Sequence, residues 1–233
     1  MIEITWLGHS TFQLRLETGQ VYVLDPWTEG NPKFPPGHTF SRVDAILVSH
    51  GHFDHIASAA ALSRQFGAPV AANYEICTWL KSKGVEQTRE MNKGGSQRLG
   101  PLTLTMTHAM HSSSLQEEDG RLVYGGEPGG YILEFAGSPA IYFAGDTDVF
   151  GDMKLIADLY QPELVFLPIG DLFTMGPRQA EVACRLLRPK TVIPMHWGTF
   201  PALTGRPEEL AERIQDLKGT EVWTLEPGKP VLW

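Results

Sequence analysis

Ser49-His50-Gly51-His52-Phe53-Asp54-His55 places four potential metal ligands within six residues. Just before it, residues 43–48 are apolar and rich in β-branched side chains, which reads as a buried strand. Just after it, residues 56–66 are alanine-rich and read as a helix. The ligands therefore fall on a strand-to-helix turn, at the C-terminal end of a strand, where α/β proteins place their chemistry. His50 and His52 are two apart, so in an extended segment they project to one side and can share an ion. Asp54 and His55 come where the chain turns and can address a second ion. Imidazole and carboxylate donors suit zinc, with iron or manganese as alternatives. A polar loop that is merely rich in histidine is the weaker reading of four donors at this spacing.

Upstream, residues 2–6 and 12–16 alternate apolar and polar residues, 21–24 follows after a Gly19-Gln20 turn, and the three predict an antiparallel start. His9 sits in the first turn, either at the core edge or at the mouth of a site. Asp25-Pro26 ends the third strand, because proline cannot continue a ladder. A carboxylate there suits orienting a ligand histidine through its second nitrogen. Residues 28–39 are rich in proline and glycine and read as an exposed loop, with His38 in solvent. Downstream, 69–72 reads as a strand, 74–83 as a helix closed by Gly84, and 102–107 as a strand running into His108 and His111. Residues 116–120 read as a charged, flexible excursion, and Gly125-Gly126 through Gly129-Gly130 as turns. Strands over 131–135 and 140–143 lead to Asp146. A helix (152–160) and a strand (164–167) lead to Asp171. A helix over 177–187 and a strand over 191–194 lead to His196. A last helix (207–217) and short strands (221–225, 230–232) finish the chain.

Bulk properties narrow the function. The 233 residues suit one domain, 1–233, with 42% apolar and 20% charged residues. A net charge of −8 argues against a nucleic-acid partner and suits a cation-binding site. Cys77 and Cys184 lack C-x-x-C spacing and read as free thiols of a cytoplasmic protein. No stretch has the length of a membrane span or the pattern of a signal peptide.

Four strand ends carry metal-type residues: His50/His52/Asp54/His55, His111, Asp146 and His196. This set resembles the metallo-β-lactamase superfamily. Further stretches resemble the UPF0173 metal-dependent hydrolases: Trp6-Leu7-Gly8-His9-Ser10, Gly30-Asn31-Pro32, Ala109-Met110-His111-Ser112-Ser113, Gly145-Asp146-Thr147, Thr174-Met175-Gly176-Pro177 and Ile193-Pro194-Met195-His196. That group is similar to the ascorbate-6-phosphate lactonase and N-acyl-phosphatidylethanolamine phospholipase D branches. The resemblance implies an α+β fold, an αββα sandwich of two mixed β-sheets flanked by helices, with two divalent ions. It implies His50, His52 and His111 on one ion, Asp54, His55 and His196 on the other, and Asp146 bridging them. Asp25 and His108 would support the ligands.

The chemistry implied is hydrolysis of a small-molecule phosphodiester, ester or lactone by a metal-bridging hydroxide. Asp54 would also orient the nucleophile, and His9 is the one candidate for proton donation to a leaving group. Asp171, Thr174, Trp197 and Thr199 are the candidate pocket residues. At 171 the narrower group commonly has glycine. The rival readings are a diiron redox protein of the same fold, an RNA-processing nuclease and a non-catalytic metal scaffold. Redox members typically carry a carboxylate where this chain has His52, plus a flavin domain; nucleases carry an RNA-gripping insertion. A homo-oligomer is compatible with the aromatic loop at 27–40.

Overall fold

The computed structural model describes residues 1–233. Its elements run β1 (Ile2–Trp6), β2 (Phe12–Leu16), β3 (Val21–Leu24), β4 (Ala45–Leu47), α1 (Phe53–Ile56), α2 (Ala59–Phe66), β5 (Val70–Asn73), α3 (Tyr74–Ser82), β6 (Thr88–Met91) and β7 (Ser96–Leu99). They continue β8 (Leu102–His108), β9 (Ser114–Gln116), β10 (Leu122–Tyr124), β11 (Gly129–Phe135), β12 (Ile141–Phe143) and α4 (Met153–Tyr160). The chain closes with β13 (Leu164–Pro168), α5 (Pro177–Leu187), β14 (Thr191–Met195), α6 (Pro207–Arg213), β15 (Glu221–Val222) and β16 (Pro230–Leu232). It divides into two compact units, one of residues 1–92, 112–128 and 225–233, the other of residues 93–111 and 129–224. No helix is long and apolar enough to cross a membrane.

The first unit carries a seven-stranded sheet in the order β16-β1-β2-β3-β4-β5-β6. Tight turns make β1, β2 and β3 antiparallel; longer crossovers make β3 to β6 parallel. Val21, Val23, Ile46 and Val48 pack with Ile56, Leu62, Ile76 and Leu80 of the helical segments. The Asn73 side chain accepts from Ile76 N at 2.8 Å, a cap worth about 1 kcal/mol that starts α3 where β5 stops. Leu24 pairs with Leu47, so Asp25 leaves β3 beside the residues that leave β4.

The second unit carries a seven-stranded sheet in the order β15-β14-β13-β12-β11-β8-β7. Val165, Leu167 and Val192 pack with Met153, Ile156, Ala180, Cys184, Leu187 and Leu210. Strands β12, β13 and β14 are parallel, with Phe143 paired to Phe166 and Phe166 to Ile193. Asp146, Gly170 and His196 therefore follow the same, C-terminal end of adjacent strands.

Several expectations need correction. The helix expected over 56–66 is two pieces, broken where Ser58 N donates to Pro26 O and Ser58 Oγ accepts from Thr28 N. The first piece begins within the ligand motif itself. Residues 116–120 form the tip of an ordered hairpin, β9–β10, closed by Glu117 N to Arg121 O. Gly129 and Gly130 open β11 instead of turning. A Cβ on Gly130 would lie 2.8 Å from the carbonyl oxygens of both Phe143 and Ala144. The last helix stops at Arg213, four residues early. His38 is not free in solvent: it is half-buried, with Phe34 and Phe40 at 5.6 and 5.1 Å from its ring.

Two outcomes follow. Gly130→Ala pushes a methyl against two fixed carbonyls and lowers the Tm by about 4–8 °C, roughly 2 kcal/mol, in a calorimetric scan. Burial holds the His38 imidazole below its ordinary pKa. The unfolded chain then binds that proton more readily, so stability is fully present above about pH 6.5 and declines as pH falls through that value. Urea midpoints measured between pH 5 and 8 fall less steeply on acidification in His38→Gln than in the wild type.

Candidate metal centre

In the first unit the donors gather around a buried carboxylate. Asp25 lies fully buried past the end of β3, with a backbone φ of 42°. Its Oδ1 accepts from Ser49 N at 2.7 Å, and its Oδ2 accepts from Ser49 Oγ at 2.6 Å and from His55 Nδ1 at 2.7 Å. Burial pushes this carboxyl above the usual carboxylate range, while the His55 charge and these hydrogen bonds pull the other way.

The partners fix which nitrogen His50 and His55 present. Ser49 Oγ donates its one hydrogen to Asp25 Oδ2 in a hydrogen bond, so it accepts from His50 Nδ1 at 3.0 Å. His52 Nε2 reaches Ser112 Oγ at 3.4 Å. His50 Nε2, with Nδ1 donating to Ser49, turns a lone pair toward His52 Nδ1 at 3.0 Å. With the His52 proton on Nε2, the two facing nitrogens converge on a cation. Two nitrogens on one tetrahedral zinc, each about 2.0–2.1 Å from the ion, would stand about 3.3 Å apart. His55, with Nδ1 held by Asp25, turns Nε2 to within 4.0 Å of Asp54 Oδ2. The donor chemistry thus fits divalent metal.

Asp54 has a second neighbour. His9 is fully buried at φ 55° in the turn after β1, with its Nε2 3.0 Å from Asp54 Oδ2. The Trp6 indole donates to His9 O at 2.9 Å, and the Trp27 ring stands edge-on to His9 at 5.4 Å. The histidine is held from both its backbone and its ring.

The second unit supplies His111, Asp146 and His196. Asp146 Oδ2 lies 3.0 Å from His196 Nε2 and 3.7 Å from His111 Nε2, so one carboxylate oxygen serves two imidazoles. Asp146 and His196 are buried. His196 holds a φ of 59°, and a Cβ on Gly170 would lie 1.9 Å from its carbonyl oxygen. Glycine at 170 is thus what lets this backbone turn. His108 ends β8 exposed, with Nδ1 3.1 Å from Lys93 Nζ and its ring against Phe150.

Among the pocket candidates, Asp171 is exposed with its Oδ1 accepting from Leu172 N at 2.8 Å. Thr174 Oγ1 donates to Met175 O at 3.3 Å, and the half-buried Trp197 donates to Pro194 O at 3.3 Å. Thr199 is buried. Sequence reasoning left out Ser49 and Ser112 as histidine partners. It also left out Ser113, whose Oγ accepts from Gly51 N at 3.1 Å and donates to Gly125 O at 2.9 Å. Ser49 and Ser112 each adjoin a candidate ligand in the chain, and that adjacency was the available signal.

A β-lactamase superfamily domain model matches residues 21–197. A UPF0173 metal-dependent hydrolase of Solibacter usitatus is 60% identical over 232 residues, spanning 100% of both chains. The chain belongs to the UPF0173 metal-dependent hydrolases. Igni18, a metallo hydrolase of the archaeon Ignicoccus hospitalis, superposes with a TM-score of 0.85 at 34% identity over 99% of this chain and 97% of its own. The two mixed sheets with flanking helices are the metallo-β-lactamase fold. CmlA, a diiron β-hydroxylase of Streptomyces venezuelae, shares that fold at TM-score 0.76 and 16% identity, over 99% of this chain and 54% of its own.

For this UPF0173 hydrolase, Asp25→Asn removes the charge that orients His55 and, through Ser49, His50. Zinc affinity falls about 10–100-fold, read by competition with a chromophoric chelator.

Proposed function

We propose that this UPF0173 member is a binuclear hydrolase acting on a small-molecule phosphodiester, ester or lactone. The observation that carries the reading is the approach of His50 Nε2 to His52 Nδ1 at 3.0 Å, with His50 Nδ1 held by Ser49 Oγ. His50, His52 and His111 would serve one ion, Asp54, His55 and His196 the other, with Asp146 common to both. The grouping follows family membership and donor chemistry, with zinc the best match and manganese or iron next. When bound, the ions supply a water nucleophile at neutral pH and positive charge for the developing oxyanion.

The chain's own residues do the rest. Asp146 offers one oxygen between two imidazoles, as a shared carboxylate must. Asp54 orients the attacking water and accepts its proton. His9, buried with its Nε2 on Asp54, acts on that carboxylate by holding it rather than by reaching a leaving group. Asp171, Thr174, Trp197 and Thr199 follow the ends of β13 and β14 and border the substrate. Cys77 and Cys184 are buried and unbridged, their thiols pushed up to about 12 by desolvation, so neither is a nucleophile for the reaction.

Plasma mass spectrometry of the purified protein gives about two ions per chain, the number a two-metal site requires. His50→Ala and Asp146→Ala lose metal together with turnover of bis-p-nitrophenyl phosphate or of a lactone panel. Less than one ion per chain, unchanged by either substitution, would overturn the ligand assignment; two irons with no ester turnover would favour redox chemistry.

A further inference from the structure

Between β13 and α5 the chain holds two apolar side chains in solvent on a strained backbone. Leu172 and Phe173 are 64% and 62% exposed. Asp171 and Leu172 are consecutive left-handed residues, at φ 66° and 58°. A bulky residue seldom adopts that conformation, because Cβ crowds the backbone. The loop is nevertheless fully braced. Asp171 N donates to Met175 O at 3.0 Å, Leu172 N to Asp171 Oδ1 at 2.8 Å, and Phe173 N to Asp171 O at 2.6 Å. Met175 is fully buried and anchors the far end.

The same loop is tied at both ends to metal-site residues of its own unit. Met175 N donates to Thr147 O at 3.1 Å, and Thr147 directly follows Asp146. Gly170, directly before the loop, abuts His196: a Cβ there would lie 3.1 Å from His196 Nδ1. Strain and exposed apolar surface both cost stability, and a braced loop keeps that cost where a site uses it.

We propose that Leu172 and Phe173 form an apolar lip that grips the non-reacting part of the substrate. This rests on the hydrolase reading above. The substrate is then an ester or phosphodiester bearing an aliphatic or aromatic group beside the scissile bond. Asp171, negatively charged beside the lip, disfavours a second anionic group there. The lip residues are specificity determinants and take no part in bond breaking.

The test uses the metal-loaded full chain with methyl-, butyl- and octylphosphonate by calorimetry, and p-nitrophenyl acetate, butyrate and octanoate by kinetics. Affinity for the phosphonates and kcat/KM for the esters rise about twofold to fourfold per methylene that reaches the lip. Phe173→Ser flattens that dependence and Phe173→Leu restores most of it, with metal content unchanged. Leu172→Gly also flattens it while holding or raising the Tm, because glycine relieves the left-handed strain. A merely structural loop would hold its Tm equally in that variant and leave the chain-length dependence unchanged. Equal affinity for methyl- and octylphosphonate in the wild type overturns the lip. So does a dependence that survives both substitutions, or a loop whose substitution converts a dimer to monomer in sedimentation. Phosphonates bound with the expected dependence, with no ester turned over, would keep the lip and overturn the hydrolytic reading instead.

Discussion

The Asp25 carboxylate is the interaction on which the first unit's donors depend. It exists because β3 and β4 run parallel with Leu24 beside Leu47, which brings the residue after one strand next to the turn after the other. Three donors then converge on two oxygens, and each orders something: Ser49 N the backbone of the motif, Ser49 Oγ the tautomer of His50, His55 Nδ1 the direction of Nε2. An isolated buried carboxylate would take up a proton or collapse the fold. Here the protein accepts the desolvation cost and gains candidate ligands, His50 and His55, whose orientation the fold itself sets.

The second unit reaches the same end through backbone strain. His9 and Asp25 in the first unit and His196 in the second are all left-handed, none of them glycine. Asp25 and His196 sit directly after a strand and His9 in the turn that follows β1, and each turns sharply, so the side chain leaves the sheet edge instead of continuing the pleat. Such strain persists only where the surroundings over-determine it. For His196 the determinant is the empty Cβ position of Gly170 on the adjacent strand end.

Much of this was legible in the sequence, and the reason is periodicity. Strands β1 and β2 fall where alternation puts them, β3 where the Gly19-Gln20 turn does, and helix α5 where the proline at 177 does. The edge strands β6 and β7 did not register: Thr88-Arg89-Glu90-Met91 and Ser96-Gln97-Arg98-Leu99 expose most of their residues and carry no apolar alternation. Gly129 and Gly130 read as a turn because glycine is ambiguous locally, and the carbonyls that demand it come from residues 143 and 144, remote in sequence. The histidines and aspartates announced themselves by type and spacing. Their serine partners did not, since a serine's role depends on which lone pair it meets, and that is a property of register.

The fold does not choose the reaction. CmlA, named a diiron β-hydroxylase, shares this backbone at 16% identity, so the choice falls to donors and loops. At the donors, His50 and His52 are both imidazoles, and Ser49 Oγ fixes the nitrogen that His50 presents. A neutral imidazole leaves an ion more positive than a carboxylate in the same place would, which is the difference the hydrolytic proposal uses. At the loops, Gly170 is fixed by packing on His196, and Asp171 braces a turn whose next two side chains, Leu172 and Phe173, face solvent. In the proposed reading, chemistry is thus written at the strand ends, where register dictates it, and substrate preference a residue or two beyond, where register no longer reaches.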